Sequence, residues 1–318
     1  MSNLNIKFYK NIVLIIGASF SFIFYFSFLD APENFPTGRI IDIPEGSTLR
    51  SAGNILKKEG VIASSELFSI TSSIFFSGKV IAGGYLFEKK VPMLSVIFKV
   101  KRGNYGIVFP RLTLKEGFTL KEMAKECTLI FKDCNQAEFL ELAKDKEGYL
   151  FPDTYFFPPN AKTADVLKAV EKNFYIKIKP LEVDIEKFGK PLSDVVIMAS
   201  IIEGEAREDY DRKMVAGILW KRIKIGMALQ VDATFKYING KGTAELSKSD
   251  LKIDSPYNTY LYRGLPPTAI NNPGLISIKA AISPIETEYL FYLTDSDGIF
   301  HYAKTHDEHV LNKARYLK

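Results

Sequence analysis

The longest apolar run of the chain lies near its N-terminus. Residues 11–29, NIVLIIGASFSFIFYFSFL, carry no charge over 19 positions, about the length that crosses a bilayer core of roughly 30 Å. Lys7 and Lys10 precede the run, whereas Asp30 and Glu33 follow it, which predicts a cytoplasmic N-terminus and an extracytoplasmic body. A cleaved signal peptide is the alternative. It is disfavoured because the run exceeds the usual ~7–15 residues and no small-x-small site precedes Asp30.

One short pattern of apolar and polar positions occurs twice. A strand-like stretch, a turn and an amphipathic helix follow each other in IIDIPEGSTLRSAGNILKKEGVI and again in RLTLKEGFTLKEMAKEC. The matched residues are Glu45-Gly46-x-Thr48-Leu49-Arg50 and Glu116-Gly117-x-Thr119-Leu120-Lys121. A unit used twice predicts two related small modules. An independent turn and helix cap at each place is the alternative, since Gly followed by Thr suits capping anywhere.

Two further segments have distinct patterns. GGYLFEKKVPMLSVIFKVKRGN predicts a strand, a helix begun by Pro92 and a closing Gly-Asn turn. From Glu147, EGYLFPDTYFFPPN is dense in aromatic residues and prolines. This composition predicts an ordered loop without regular secondary structure that packs on the protein or lines a cleft.

Residues 195–206, VVIMASIIEGEA, are apolar nearly all round and end on two carboxylates. Such a helix is buried in a core, and we expect Ser193 and Asp194 to cap it. Positions two apart on a helix differ by about 200°, so Glu203 and Glu205 cannot point into one pocket. The bulkier apolar face belongs to Glu205, which predicts that burial raises its pKa, as a general acid requires. The alternative is a helix end that turns polar as it leaves the core.

The chain after these carboxylates predicts three more elements. AREDYDRKMVAGILWKRIKIG predicts a helix that stops at Gly226, with one apolar stripe formed by Tyr210, Met214, Val215, Ile218, Leu219 and Ile223. MALQVDATFKYING predicts an extended stretch in which Gln230 and Asp232 face one side. TEYLFYLTDSDGIFHYAKTHDEHV predicts a hairpin that turns at Asp297-Gly298.

Composition excludes several classes of protein. The chain has 318 residues, 47% hydrophobic and 25% charged, with a net charge of +5, which is ordinary for a globular protein. Basic and acidic residues are interleaved without a basic stripe, so nucleic acid is not an expected partner. The two cysteines, Cys127 and Cys134, could form a disulfide, although simple packing is favoured. His301, His306 and His309 lack a supporting ligand cluster, so no metal site is expected.

Five segments of the chain form a recognisable set: ASIIEGEA, GMALQVDATFKY, DSPYNTYLYRGLPPTAINNPG, EGYLFPDTYFF and the Tyr-Leu-Phe-Tyr…Lys-Thr…Glu-His ending. These segments resemble the endolytic murein transglycosylase (YceG-like) family. They cover the chain in order, together with an N-terminal anchor and a LysM-like region. Three departures from the family pattern occur: Gly204 replaces Lys or Arg, Ala233 replaces Pro, and Ile270-Asn271 replaces a Pro-Gly-Pro-Ile-like run. None of these removes a carboxylate.

This resemblance implies cleavage of the β-1,4 bond between N-acetylmuramic acid and N-acetylglucosamine within nascent glycan strands, leaving a 1,6-anhydro end. One carboxyl group serves first as acid and then as base, and no cofactor is implied. A hydrolase usually needs a second carboxylate about 5–10 Å away, which a pair two apart on a helix cannot supply. Because the family acid ends a buried helix before a small residue, Glu205 is the predicted catalytic residue, with Glu203 as the alternative.

Substrate-binding residues are predicted in two segments. Gln230 and Asp232 suit sugar hydroxyl and acetamido groups, although turn capping is an equal alternative. The loop Tyr257-Asn258-Thr259-Tyr260 combines polar groups with aromatic faces, which favours a glycan groove. A muramidase-type hydrolase and a non-catalytic glycan-binding scaffold remain the competing functions, but a scaffold needs no acid at the end of a buried helix.

The expected fold class is α+β, divided into five segments. These are a cytoplasmic N-terminus (1–10), a transmembrane helix (11–29), a linker (30–38), a LysM-like α/β region with the repeated unit (39–146) and a mixed α+β catalytic domain with a buried catalytic helix (147–318). The chain is thus expected to cross the cell membrane once, with its catalytic domain outside. The expected partners are peptidoglycan strands, the membrane and, from the resemblance alone, cell-wall synthases.

Overall fold

The computed structural model describes residues 30–75, 78–106 and 109–317, together with Val13, Ile16 and Gly17. The predicted cytoplasmic N-terminus and, apart from those three residues, the predicted transmembrane helix lie outside this part of the chain. Within the part described, no helix is both long enough and apolar enough to cross a bilayer. The chain divides after Phe109 into two compact units.

From residue 30 onward, the described residues of the first unit form two strands and three helices. They are β1 (Ile40–Ile43), α1 (Leu49–Lys58), α2 (Ser65–Phe75), β2 (Gly83–Leu86) and α3 (Met93–Arg102). β1 and β2 pair antiparallel, and their inward side chains join apolar residues of the helices in one core. α3 begins after Pro92 and ends at Gly103 in the left-handed conformation, as the pattern predicts.

The second unit opens with the same order of elements. They are β3 (Arg111–Thr113), α4 (Leu120–Ile130), α5 (Gln136–Leu142) and β4 (Thr154–Phe156), and β3 pairs antiparallel with β4. Both copies of the repeated motif therefore form the predicted strand, turn and helix, and each is followed by a second helix and a returning strand. The division at residue 146 stays a prediction, because the compact unit that holds the second copy runs on to the C-terminus.

The turn and cap of the motif are alike in its two copies. Gly46 and Gly117 have φ of 81° and 76°, a region that glycine occupies without steric cost. The hydroxyls of Thr48 and Thr119 then accept backbone N–H groups at 3.1 and 3.3 Å. Only the second copy adds a capping box, in which Glu122 accepts the N–H of Thr119 at 2.8 Å.

Two predictions in this region are wrong. The aromatic segment after Glu147 contains a regular element, β4, because residue Tyr155 pairs with Leu112 of β3. Cys127 and Cys134 do not simply pack but form a disulfide, with Cα atoms 6.0 Å apart. The turn that follows α4 brings the second cysteine back to the helix end, which spacing alone did not reveal.

The rest of the second unit is mainly helical. Its elements are α6 (Thr163–Ile178), α7 (Glu182–Phe188), α8 (Leu192–Glu205), α9 (Asp209–Lys224), α10 (Ala233–Asn239), α11 (Leu275–Ile282), β5 (Phe291–Thr294), β6 (Phe300–Ala303) and α12 (His306–Tyr316). β5 and β6 form the predicted hairpin. Across the described residues the protein is thus a helix-rich α+β protein with small two-stranded sheets.

Helix α8 is the centre of the larger core. Every residue from 195 to 202 is buried, and the helix packs against α9 and α11. The predicted cap is wrong: Pro191 occupies the N-cap position, so Ser193 and Asp194 lie in the first turn. The predicted stripe of α9 also needs one correction, because Tyr210 is 61% exposed.

Candidate active site

The two carboxylates at the end of α8 diverge, as their spacing predicts. Glu203 faces α9 and the N-terminus of α11, whereas Glu205 faces the N-terminus of α10 and strand β5. Each group has its own set of partners, so the two side chains occupy different environments although one residue separates them.

Glu203 belongs to a buried ion pair. Its Oε1 accepts a hydrogen bond from Nη2 of Arg212 at 3.0 Å, and the two side chains are only 7% and 8% exposed. Its Oε2 accepts the backbone N–H of Gly274 at 2.9 Å, at the start of α11. Arg212 also donates Nε–H to the carbonyl oxygen of Ala206. Both oxygens of Glu203 therefore hold protein groups in place, which is a structural role.

Glu205 is held by two donors. Its Oε1 accepts the backbone N–H of Ala233 at 3.2 Å, and its Oε2 accepts the hydroxyl of Tyr292 at 2.9 Å. Burial raises the pKa of Glu205, the two hydrogen bonds lower it, the nearby charge of Asp232 raises it and Arg222 lowers it. The net direction is upward, which agrees with the argument from the apolar helix face. A carboxyl group with a raised pKa can carry a proton near neutral pH and release it.

Close packing brings the N–H of Ala233 to Glu205. A Cβ atom added at Gly204 would lie 2.7 Å from the Cβ of Ala233, closer than two methyl groups can approach. Two of the three departures from the family pattern, Gly204 and Ala233, are thus in contact with each other. A larger residue at position 204 would push the start of α10 away from the end of α8.

The predicted binding residues of the first segment do not form a strand. Gln230 is exposed and has a φ of 48°, so the chain turns there and Gln230 and Asp232 do not share one side of an extended stretch. Asp232 immediately precedes α10, and its Oδ1 accepts the hydroxyl of Tyr260 at 2.6 Å. The charge of Asp232 acts on Glu205, so Asp232 lies near it as a second carboxylate.

The predicted binding loop divides into a buried part and a partly exposed part. Asn258 and Thr259 are buried, and their side chains bond to backbone groups: Asn258 donates to the carbonyl oxygens of Leu251 and Ile253, and Thr259 accepts the N–H of Val231. These two residues shape the loop from inside.

The aromatic residues of the loop keep accessible faces. Tyr257 shares a hydrogen bond with Thr268 at 2.8 Å and packs on Tyr237, with ring centroids 4.8 Å apart. Tyr260 is half-buried and donates to Asp232. The structure therefore brings Tyr260 and Asp232 next to Glu205 and leaves Tyr257 at the edge of the loop.

Sequence reasoning missed two residues of this site. Tyr292 lies on β5, 87 residues after Glu205. Arg222 lies on the buried stripe of α9, and it donates Nε–H to the carbonyl oxygen of Leu290 at 2.7 Å. An arginine four residues after Ile218 on an apolar stripe was the available signal, because a charge at a core position needs partners. Tyr292 lies in the Tyr-Leu-Phe-Tyr segment that carried the resemblance, but no local pattern linked it to Glu205.

The structure offers no metal site in the part of the chain that it describes. Among those residues, no three His, Cys, Asp or Glu side chains lie close enough together to hold an ion. The groups around Glu205 suit proton transfer by its carboxyl group, which has a phenol, an amide and a second carboxylate near it.

The chain is similar to known proteins of one family. The sequence model of the YceG-like family matches residues 41–315. A Bacillus subtilis (strain 168) protein named endolytic murein transglycosylase is 32% identical, over 96% of this chain and 91% of its own. A protein of the same name from Streptococcus pneumoniae (strain D39) is 27% identical, over 87% of this chain and 58% of its own. A crystal structure of a yceG-like protein from Listeria monocytogenes gives a TM-score of 0.59 at 27% identity, over 86% of this chain and 98% of that one.

Proposed function

The chain belongs to the YceG-like family, and from this premise we propose that it is an endolytic lytic transglycosylase of peptidoglycan with Glu205 as its acid and base. The observation that carries the proposal is the state of Glu205. It ends a buried helix, its pKa is raised by burial, and two donors hold its carboxyl group. The relatives named endolytic murein transglycosylase support the choice of substrate.

The reaction needs one carboxyl group in two successive roles. Protonated Glu205 gives its proton to the glycosidic oxygen while the bond between that oxygen and C1 of the N-acetylmuramic acid breaks. The resulting carboxylate then takes the proton of the 6-hydroxyl while the oxygen of that hydroxyl bonds to C1. Glu205 is protonated again at the end, and no water is consumed. Burial supports both steps, because it brings the pKa of Glu205 towards the working pH.

The neighbouring groups suit a cation-like sugar ring. Positive charge develops at C1 when a glycosidic bond breaks, and the carboxylate of Asp232 lies beside Glu205 to stabilise it. The hydroxyl of Tyr260 fixes one oxygen of Asp232 at 2.6 Å. We assign sugar binding to Asp232, Tyr260, Tyr257 and Gln230, with Asn258 and Thr259 shaping the loop from inside.

Hydrolysis is the second candidate function, and Asp232 is the residue that favours it. Glu203 cannot activate water at this site because it is paired with Arg212. Asp232 is a second carboxylate near the acid, which a hydrolase uses to hold water or to form a covalent intermediate. A non-catalytic scaffold is less well supported, because scaffolding does not need a buried carboxyl group.

Product analysis separates these functions. Purified glycan strands are incubated with the unmodified protein and with Glu205→Gln, and the new ends are identified by mass spectrometry. We expect 1,6-anhydro ends from the unmodified protein and none from the variant. Reducing ends would support hydrolysis, and intact strands with bound protein would support the scaffold.

The surroundings of the catalytic region belong to the same proposal. Each strand–helix–helix–strand unit is proposed to be a LysM-like module that holds a glycan strand, on the basis of its element order. Residues 11–29 are proposed to anchor the protein, with residues 30–318 outside the cell membrane. The disulfide between Cys127 and Cys134 supports this location, since disulfides persist in oxidising compartments. Cell-wall synthases stay predicted partners.

A further inference from the structure

The two oxygens of the Glu205 carboxyl group have donors of different kinds. Ala233 donates a backbone N–H to Oε1 at 3.2 Å. Tyr292 donates its hydroxyl to Oε2 at 2.9 Å. An amide N–H can only donate, whereas a phenol hydroxyl rotates and can either donate or accept. The two oxygens are therefore chemically unequal.

This inequality determines which oxygen carries the proton. Oε1 faces a fixed donor and serves best as an acceptor whether Glu205 is protonated or not. Oε2 faces a hydroxyl that can donate to a carboxylate and can accept from a carboxylic acid. We propose that Tyr292 is a positioning residue, which together with the amide of Ala233 holds Glu205 so that Oε2 carries the transferable proton. This inference rests on the proposed function, in which Glu205 is the acid and base.

Tyr292 is itself firmly placed. Arg222 on α9 donates to the carbonyl oxygen of Leu290, and its guanidinium lies 5.2 Å from the ring centroid of Phe291. These two contacts hold Leu290 and Phe291, the residues that directly precede Tyr292 in the chain. Burial, followed by the nearby charge of Glu205, holds the pKa of Tyr292 well above its ordinary value. Its hydroxyl therefore keeps its proton and remains available as a donor.

Several charged groups also face Glu205, and their effects have opposite signs. Asp232, next to α10, raises the pKa of Glu205, whereas Arg222, on α9, lowers it. Tyr260 donates its hydroxyl to Asp232 and also lies close enough to Glu205 to interact with its charge. Tyr292 acts on Glu205 directly, because its hydrogen bond favours the carboxylate and so lowers the pKa.

The test is the pH dependence of kcat on glycan strands, measured for the full chain and its variants. A general acid must be protonated, so kcat falls as the pH rises through the pKa of Glu205. Tyr292→Phe removes a bond that favours the carboxylate, and the falling limb is expected to move to higher pH. The plateau value of kcat should also drop about 10-fold, because one hydrogen bond that orients a charged group is lost.

The hairpin supplies a matched control. Tyr302 lies directly opposite Tyr292 on β6, and its hydroxyl donates to Asp211 at 2.7 Å instead of to Glu205. Tyr302→Phe removes the same phenol hydroxyl from the same hairpin, so it should leave the position of the falling limb unchanged. A limb that stays in place in Tyr292→Phe, or that moves equally in Tyr302→Phe, would overturn the proposal.

A second replacement keeps the test valid if Tyr292→Phe folds poorly. 3-Fluorotyrosine at position 292 keeps the ring shape and makes the hydroxyl a stronger donor, so the limb should move to lower pH, opposite in sign to the Phe variant. If the unmodified protein cleaves no strands, the proposed function fails on its own. In that case the titration of Glu205, followed by carboxyl ¹³C NMR in the unmodified protein and in Tyr292→Phe, still tests the inference: an unchanged midpoint would contradict it.

Discussion

At the scale of single residues, Glu203 and Glu205 should respond in opposite ways to the same substitution. Glu203→Gln leaves the guanidinium of Arg212 buried without its counter-charge, and breaking a buried pair in this way costs about 3 kcal/mol. Burial disfavours ionisation of the Glu205 carboxyl group, and Glu205→Gln replaces this group with a neutral amide of similar size. We therefore expect Glu203→Gln to lower the free energy of unfolding strongly and Glu205→Gln to change it little.

Denaturant unfolding of both variants, beside strand cleavage below their unfolding transitions, measures this contrast. Folded Glu203→Gln should still cleave glycan strands, whereas Glu205→Gln should not, although it is folded. The assignment of roles would be reversed if Glu203→Gln were stable and inactive while Glu205→Gln remained active.

Sequence reasoning at this scale succeeded where the physics is local. Helical spacing alone predicted that Glu203 and Glu205 diverge, and the size of the apolar residues predicted the raised pKa of Glu205. Tyr292 and the amide of Ala233 reach Glu205 from 87 and 28 residues away. Such contacts depend on how helices and hairpin pack, which no local pattern encodes. The left-handed turn at Gln230 was missed because non-glycine residues rarely adopt it.

At the scale of elements, the disulfide should stabilise the second unit. Cys127 near the end of α4 is linked to Cys134 seven residues later. Closing a loop of this size lowers the entropy of the unfolded chain and so raises its free energy by about 2.5 kcal/mol. Replacing both cysteines by alanine should therefore lower the free energy of unfolding by roughly 2 kcal/mol. Thermal unfolding of the variant beside the unmodified protein, each with and without reductant, is the measurement. A variant as stable as the oxidised protein would contradict the expectation.

Also at the scale of elements, Glu147 connects α4 to the segment before α11 through hydrogen bonds. Its carboxyl group is 7% exposed, and it accepts the N–H of Leu120 at 3.1 Å and the side-chain amide of Asn272 at 3.0 Å. Burial raises the pKa of Glu147 from 4.5 to about 8. The carboxyl group of Glu147 therefore loses its proton at a lower pH in the unfolded chain than in the folded protein. The free energy of unfolding should fall as the pH rises from about 4.5 to about 8.

Glu147→Gln should remove this contribution, because the amide cannot ionise. Urea unfolding at intervals across that window should show a flatter pH dependence for Glu147→Gln than for the unmodified protein. Glu141→Gln, at an exposed position of α5, is the control and should leave the slope unchanged. Equal slopes for the unmodified protein and Glu147→Gln would show that Glu147 does not titrate in this way.

Elements whose ends carry strong sequence signals could be predicted from the sequence. Elements that form only by pairing with a distant part of the chain could not. The repeated strand, turn and helix followed from glycine and threonine at fixed offsets, and the last hairpin followed from Asp297-Gly298 between apolar alternations. Strand β4 was missed because it is a strand only through its pairing with β3, 41 residues earlier at Thr113 and Thr154. The cap of α8 was misplaced because Pro191 fixes the backbone before Ser193.

At the scale of the whole molecule, the family assignment supports the class of enzyme, and the site geometry supports the choice of Glu205 as the acid. The family model spans residues 41–315, and the α8 segment that carried the resemblance ends on Glu205, whose carboxyl group has two donors and a raised pKa. The central claim is that the 6-hydroxyl of the sugar, rather than water, takes the place of the leaving oxygen at C1.

Digestion of purified glycan strands in H₂¹⁸O by the unmodified full chain, followed by mass spectrometry of the new ends, tests this claim most directly. A transglycosylase closes the ring within the sugar, so we expect anhydro ends without ¹⁸O, and we expect none from Glu205→Gln. A hydrolase must add the solvent oxygen at C1. Reducing ends that carry ¹⁸O would therefore contradict the account and make Asp232 the residue that directs water.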